Sequence, residues 1–208
     1  MKPNKRVIGL TGTIASGKST AARYFARQYG IAVTDADRVG HAVLQEPAVV
    51  EALVKEFGPG ICGWPRQISR QKLGQLVFGD ADKLARLNAI THPVICRRIA
   101  EWAAAEQARP DGRPFIIIEA IELLRSELKK LADEVWVVYA DPAIRQQRLT
   151  DSRGLSAEAA RQRLSSQWDD AMYRACATRV LDGSGSPEQL ERQCDAIYRE
   201  LLGGAKPQ

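Results

Sequence analysis

Gly12-Thr13-Ile14-Ala15-Ser16-Gly17-Lys18-Ser19 is the stretch on which the reading of this chain turns. It satisfies GxxxxGK[ST], the Walker A pattern, at every fixed position. A β-prone run, Arg6 to Thr11, precedes it, and the small and apolar segment from Ala21 to Ala26 follows. Strand, glycine-rich loop and helix in that order form a phosphate cradle. Successive main-chain N–H groups turn inward on the anion, and the helix adds the positive end of its dipole. Lys18 brings a point charge to the β- and γ-phosphates, and the Ser19 hydroxyl offers an oxygen to Mg²⁺. Residues Gly12 to Thr20 are therefore expected to hold ATP or GTP with Mg²⁺.

Outward from the loop, a second β-prone run, Ile31-Ala32-Val33-Thr34, ends in Asp35-Ala36-Asp37. From about Arg38 to Ile99 the apolar spacing is helical, with Val50, Leu53, Val54 and Phe57 on one face and Leu73, Leu76 and Val77 on another. So long a helical stretch between strands predicts an inserted helical part, about residues 40–100, inside one domain spanning 1–208. Phe115 to Ile118 and Val135 to Tyr139 are unbroken apolar runs that predict strands buried on both faces. Asp141-Pro142 and Ser186-Pro187-Glu188-Gln189 carry helix-start signals, a cap followed by proline at the first helical position. Strands alternating with helices imply an α/β fold, a parallel central sheet between helical layers.

Composition narrows the function. The 208 residues are 45% hydrophobic and 26% charged, which suits a globular domain and argues against disorder. No stretch approaches the roughly 18 uncharged apolar residues of a membrane span. Lys2, Lys5 and Arg6 precede only four apolar positions, too few for a secretory signal. Cys62, Cys96, Cys176 and Cys194 are scattered without metal-ligand spacing, as expected of reduced thiols in the cytoplasm. A net charge of +5 without a dense basic run favours small anionic ligands over nucleic acid. A monomer is the working expectation.

The loop alone leaves small-molecule kinases, GTPase switches and motor ATPases open. Neither a DxxG switch nor an NKxD guanine reader is present, and the size with its helical insertion favours a small-molecule kinase. Asp35 or Asp37, at the carboxyl end of a strand near the phosphates, can take a proton from an attacking hydroxyl or hold Mg²⁺ through water. Either can equally cap the helix that follows. In an extended segment the two would point to the same side. Two rival functions remain: a nucleoside monophosphate or sugar kinase, and a non-catalytic nucleotide-responsive regulator.

The chain resembles the dephospho-CoA kinase family in IGLTGTIASGKST (residues 8–20), DADRVGHAVL (35–44), LNAITHPVI (87–95), the long segment 133–167 and ATRVLDGSGSPEQLERQ (177–193). The resemblance spans nearly the whole chain. It implies a three-layer P-loop kinase with a helical CoA-binding insertion and an arginine-bearing lid, about 145–175. The implied reaction is ATP-dependent phosphorylation of the 3′-hydroxyl of dephospho-CoA, with Mg²⁺. On this resemblance Asp37 is the general base, Asp35 orders the site, and His92 lines the substrate pocket. Arg148 and Arg153 belong to the lid, with Arg153 closing over the nucleotide. Family loops commonly read GGIGSGKS, so Thr13 and Ala15 stand at two glycine positions, and phosphate binding is expected to survive with both at negative φ. Where the family tends to show DxPLLFE, this chain has Glu119-Ala120-Ile121-Glu122-Leu123-Leu124-Arg125, and Glu119 is given a substrate-side role.

Between Arg145 and Arg179 lie seven arginines and no lysine. Guanidinium forks suit phosphate clamping, yet most of these are expected to pair with neighbouring acids on an exposed face. Arg148 and Arg153 are the exceptions, near an expected turn at Arg153-Gly154 where a lid would hinge. His92, before Pro93, reads from the residues alone as a turn histidine of structural kind. Trp64, Trp102, Trp136 and Trp168 are expected to serve packing.

Overall fold

The computed structural model describes residues 5–65, 67–153, 156–165 and 170–203, with main chain only at 152, 153, 163, 165 and 203. In chain order its principal elements are β1 (Arg6–Thr11), α1 (Lys18–Tyr29), β2 (Val33–Asp35), α2 (Ala36–Val43), α3 (Pro47–Phe57), α4 (Arg70–Val77) and α5 (Ala81–Ala108). There follow β3 (Phe115–Glu119), β4 (Glu134–Tyr139), α6 (Pro142–Arg153), α7 (Ala157–Ser165), α8 (Asp170–Ala175), β5 (Arg179–Asp182) and α9 (Pro187–Gly203). The chain divides into two compact units, residues 1–34 with 103–208, and residues 35–102. No helix among the described residues is long and apolar enough to cross a membrane.

The first unit is built on a sheet ordered β2-β3-β1-β4-β5. β1 pairs in parallel with β3 and β4 on either side, and β4 pairs in parallel with β5. The two unbroken apolar runs become β3 and β4, and Phe115, Ile116, Ile117 and Ile118 are all buried as a strand covered on both faces must be. β5 escaped the sequence reading. It has four residues, lies at the sheet edge and exposes most of its length, so it lacks the long apolar signature of its neighbours. Phe25 of α1 fills the centre of the core, with ring centroids 5.5 Å from Phe115 and 5.7 Å from Trp136. Edge-on and tilted pairs of this kind add to the burial energy because ring edges meet ring faces of opposite partial charge.

Both helix-start signals hold. Asp141 accepts from the Ala143 amide at 2.8 Å. Ser186 and Gln189 exchange side-chain and main-chain hydrogen bonds, Ser186 N to Gln189 Oε1 at 2.8 Å and Gln189 N to Ser186 Oγ at 3.4 Å. α9 is then fastened to α1 by polar contacts. The Tyr24 and Tyr29 hydroxyls both donate to Asp195 Oδ1, at 2.7 and 2.6 Å, and Tyr198 stacks on Tyr29.

The second unit packs Val43, Val49, Leu53, Ile61, Ile68, Leu73 and Val77 into its own core, with Ile90, Val94 and Ile95 of α5 against it. Three expectations are corrected here. His92 does not stand at a turn: Pro93 lies inside α5, which runs unbroken from Ala81 to Ala108. A proline inside a helix removes one N–H and costs ~3 kcal/mol; the packing of Ile90, Val94 and Ile95 on both sides of it offsets the loss. Asp35 and Asp37 do not share a side of an extended segment, because the strand ends at Asp35 and Asp37 is already the second residue of α2. Trp64 is not a packing residue, being 95% exposed, whereas Trp136 is fully buried. Trp168 lies outside the described residues.

The Tyr24–Asp195–Tyr29 cluster sets a pH dependence. Hydrogen bonds from Tyr29 and Tyr24 hold the Asp195 carboxyl below its ordinary range. A carboxyl depressed by folding contributes stability that is present above its unfolded pKa of about 3.9 and is lost as pH falls through the lower folded value. Urea unfolding from pH 6 down to pH 2 is expected to show an acid-side loss that is smaller in Asp195→Asn than in the unsubstituted chain. Parallel profiles for the two proteins would contradict this.

Candidate active site

β1 is the inner strand of the sheet, flanked on both sides, so its carboxyl end is held in place, and the chain must reverse there between Gly12 and Lys18. Gly12 does so at φ 137°, and a Cβ on it would collide with the Val138 carbonyl oxygen. Only glycine fits on both counts. Ser16 N returns to the Thr13 carbonyl at 3.3 Å, closing the loop on itself. Lys18, the first residue of α1, is 6% exposed, and its Nζ donates to the Thr13 carbonyl at 3.0 Å. A buried ammonium is costly unless partnered, and its place beside the loop main chain is where a phosphate would take it up.

Two hydroxyls of the loop are informative. Thr13 Oγ1 and Ser16 Oγ are buried without a hydrogen-bond partner. Buried hydroxyls in proteins are nearly always satisfied, and those that are not call for a ligand, a water or a catalytic role. Around a nest of main-chain amides, an anion is the ligand that fits. Thr13 keeps a negative φ as expected. Ala15 does not: it sits at φ 61°, in the left-handed region, which corrects the expectation that both substituted glycine positions stay at negative φ.

Glu119 ends β3, next to β1, and its Oε1 accepts from Ser19 Oγ at 2.6 Å. Glu119 as a whole is 8% exposed. A hydroxyl and a carboxylate in contact form a hard oxygen pair of the kind that holds Mg²⁺ beside substrate phosphates. Among the described residues no group of three or more His, Cys, Asp or Glu side chains could hold a metal by itself.

Arg148, on α6, donates from Nη1 to the Ala15 carbonyl at 3.2 Å and from Nη2 to the Gly185 carbonyl at 3.0 Å. Of the other arginines of the 145–179 stretch that the structure describes, Arg161 and Arg179 pair with acids as the plainer reading expected, whereas Arg145 is buried and Arg174 meets an aromatic ring. Arg145 pairs with Asp170 at 2.7 Å, Arg161 with Glu158 and Arg179 with Glu200, while Arg174 lies over the Tyr139 ring. The side chains of Arg153 and Arg163 lie outside the described residues, although Arg153 is the last residue of α6.

The residues missed by sequence reasoning are Gly183 and Gly185. Gly183 N donates to the Tyr139 carbonyl at 2.6 Å, and a Cβ on Gly183 would overlap the Ser16 carbonyl oxygen. The segment after β5 therefore presses main chain to main chain on the phosphate loop. Asp182-Gly183-Ser184-Gly185 looks like an ordinary turn, and the distance in sequence hid its partner.

The first unit thus brings together the residues from Gly12 to Thr20, Glu119 and Arg148. Asp35, Asp37 and His92 belong to the second unit. There Asp35 caps α2, accepting from the Asp37 and Arg38 amides at 2.9 and 3.3 Å. Its main-chain partners make it the capping residue, which leaves the Asp37 carboxylate exposed on the first turn of the helix. His92 is exposed on α5.

A family model described as dephospho-CoA kinase matches residues 6–189. A dephospho-CoA kinase of Symbiobacterium thermophilum is 40% identical over 201 residues, covering 96% of this chain and 82% of that relative. Among solved structures, a Thermus thermophilus protein is similar with TM-score 0.80 and 30% identity, covering 96% of this chain and 99% of its own. A dephospho-CoA kinase from Campylobacter jejuni follows with TM-score 0.66 and 25% identity, covering 96% and 98%.

Gly183→Ala tests the main-chain contact. The added methyl must push either the Ser16 peptide or the 183–186 segment aside, and calorimetric titration with ATP is expected to show affinity weakened by at least about 5-fold, since overpacking against a rigid neighbour costs roughly 1–3 kcal/mol. Unchanged affinity would mean that the contact has no bearing on the phosphate loop.

Proposed function

The chain belongs to the dephospho-CoA kinase family, and from that premise we propose how its residues perform the family's reaction, transfer of the terminal phosphoryl group of ATP to the 3′-hydroxyl of dephospho-CoA. The observation that carries the residue assignment is the pair of partnerless buried hydroxyls, Thr13 Oγ1 and Ser16 Oγ, in a loop closed around Lys18.

Phosphoryl transfer needs alignment and charge neutralisation more than covalent help from the protein. The amides of residues 12–19 and the start of α1 grip the β-phosphate, and Lys18 leaves the Thr13 carbonyl to meet the β- and γ-phosphate oxygens. Thr13 and Ser16 donate their hydroxyls to the same anion. Mg²⁺ bound with ATP supplies further charge neutralisation, with Ser19 and Glu119 as the residues that hold it. The Ser19–Glu119 contact supports this metal-side role for Glu119 over the substrate-side one.

Asp37 is the base toward the ribose hydroxyl, and Asp35 serves it by ending the strand and starting α2. His92 and the unit formed by residues 35–102 take up dephospho-CoA. Arg153 and the segment about 145–175 close over the nucleotide to keep water from competing as acceptor. The partners are ATP and dephospho-CoA, with no nucleic acid, and the four free thiols support a cytoplasmic location.

Three substitutions separate the roles when ADP release is followed with dephospho-CoA as acceptor. Asp37→Asn is expected to keep ATP affinity and lose turnover by ~10²–10⁴-fold, the usual cost of a general base; near-normal turnover would remove Asp37 from that role. Lys18→Ala is expected to weaken ATP binding and turnover together. Glu119→Gln is expected to raise the Mg²⁺ concentration needed for half-maximal rate while the KM for dephospho-CoA stays put. A change in that KM alone would return Glu119 to the substrate side.

A further inference from the structure

Ala15 is the one non-glycine residue at positive φ among the described residues. For an L-residue that conformation brings Cβ against the following carbonyl and is disfavoured by roughly 5- to 30-fold in population compared with glycine. A strained peptide persists only where its surroundings over-determine it. Here the surroundings are identifiable. The Ala15 carbonyl oxygen accepts from Arg148 Nη1, and the other arm of the same guanidinium holds the Gly185 carbonyl. Gly183, two residues earlier, meets the Ser16 carbonyl with no room for a side chain. The loop bend at residues 15–16 is therefore clamped from outside, by one arginine fork and one glycine contact.

We propose that Arg148 is a positioning residue for ATP, acting through the Ala15 peptide: it holds the left-handed bend of the phosphate loop and ties that bend to the segment 183–185. The proposal rests on the assignment of the loop to ATP. A guanidinium presents donors in a rigid fork, so it can serve two carbonyls at a fixed separation, which a lysine cannot. Both oxygens are main-chain, so the clamp fixes loop shape independently of the side chains that line it. When the clamp is removed, Ala15 relaxes toward negative φ and the neighbouring N–H groups turn away from the phosphate. A glycine at position 15 would need no clamp, because it adopts positive φ freely.

The test is a double-mutant cycle on Arg148→Met and Ala15→Gly, read by ATP calorimetry and by KM and kcat with each substrate. Arg148→Met is expected to weaken ATP binding by ~10- to 100-fold, the loss typical of hydrogen bonds from a charged group, with the KM for dephospho-CoA unchanged. Ala15→Gly is expected to improve ATP affinity in the Arg148→Met background by at least about fivefold more than any change it causes in the unsubstituted chain. Full affinity in Arg148→Met, or no recovery on adding Ala15→Gly, would overturn the proposal, the latter pointing to direct contact with the nucleotide. If Arg148→Met does not fold, Arg148→Lys carries the same cycle, since it keeps the charge but serves one carbonyl at a time. Failure of the unsubstituted chain to bind ATP is a separate result, and it would overturn the kinase reading itself.

Discussion

The site depends on the absence of side-chain volume around one strand end. β1 is locked between two parallel neighbours, so the chain leaving it has a fixed origin and direction. Within that limit the loop must fold back tightly enough to aim its amides at one point. The Val138 carbonyl presses on Gly12 from one side, and the Ser16 carbonyl meets Gly183 on the other. Strand pairing, loop shape and the segment after β5 are thus aspects of a single packing problem. Everything proposed for Lys18, Ser19 and Glu119 presumes that it is solved, since a side chain moved by 1 Å loses much of its value in catalysis.

Local chemistry was legible. The phosphate loop, the buried runs that became β3 and β4, and the caps at Asp141 and Ser186 each depend on residues close in sequence, so a short window holds the whole signal. What escaped depends on partners that a window cannot see. β5 is a strand because Trp136 to Tyr139 offers it a pairing edge, although its own four residues are mostly exposed. The left-handed Ala15 is sustained by an arginine on α6. The uninterrupted course of α5 through Pro93 is sustained by packing in the 35–102 core. In each case tertiary contact outweighs local preference.

The same distinction explains the candidate residues. Ser19 is readable as a metal-side residue from its place in the motif, whereas Glu119 was expected on the substrate side. Their contact at 2.6 Å, invisible in sequence, is what supports the proposed metal-side role for Glu119. Among the arginines, number and spacing say little about role. Arg145, buried, and Arg161 and Arg179 are engaged with carboxylates, whereas Arg148 reaches two peptide oxygens of separate segments. A guanidinium that joins two main-chain segments supports a conformation, and no count of charges reveals that.

The pressing of Gly183 on Ser16 joins stretches separated by most of the chain's length. During synthesis the glycine-rich motif emerges among the first residues, yet its outer wall is made by the segment that joins β5 to α9. A nascent chain still lacking that segment carries a complete motif and an unfinished pocket. The order of synthesis therefore runs against the order of need: the motif is made first, and the main chain that braces it is among the last to be added.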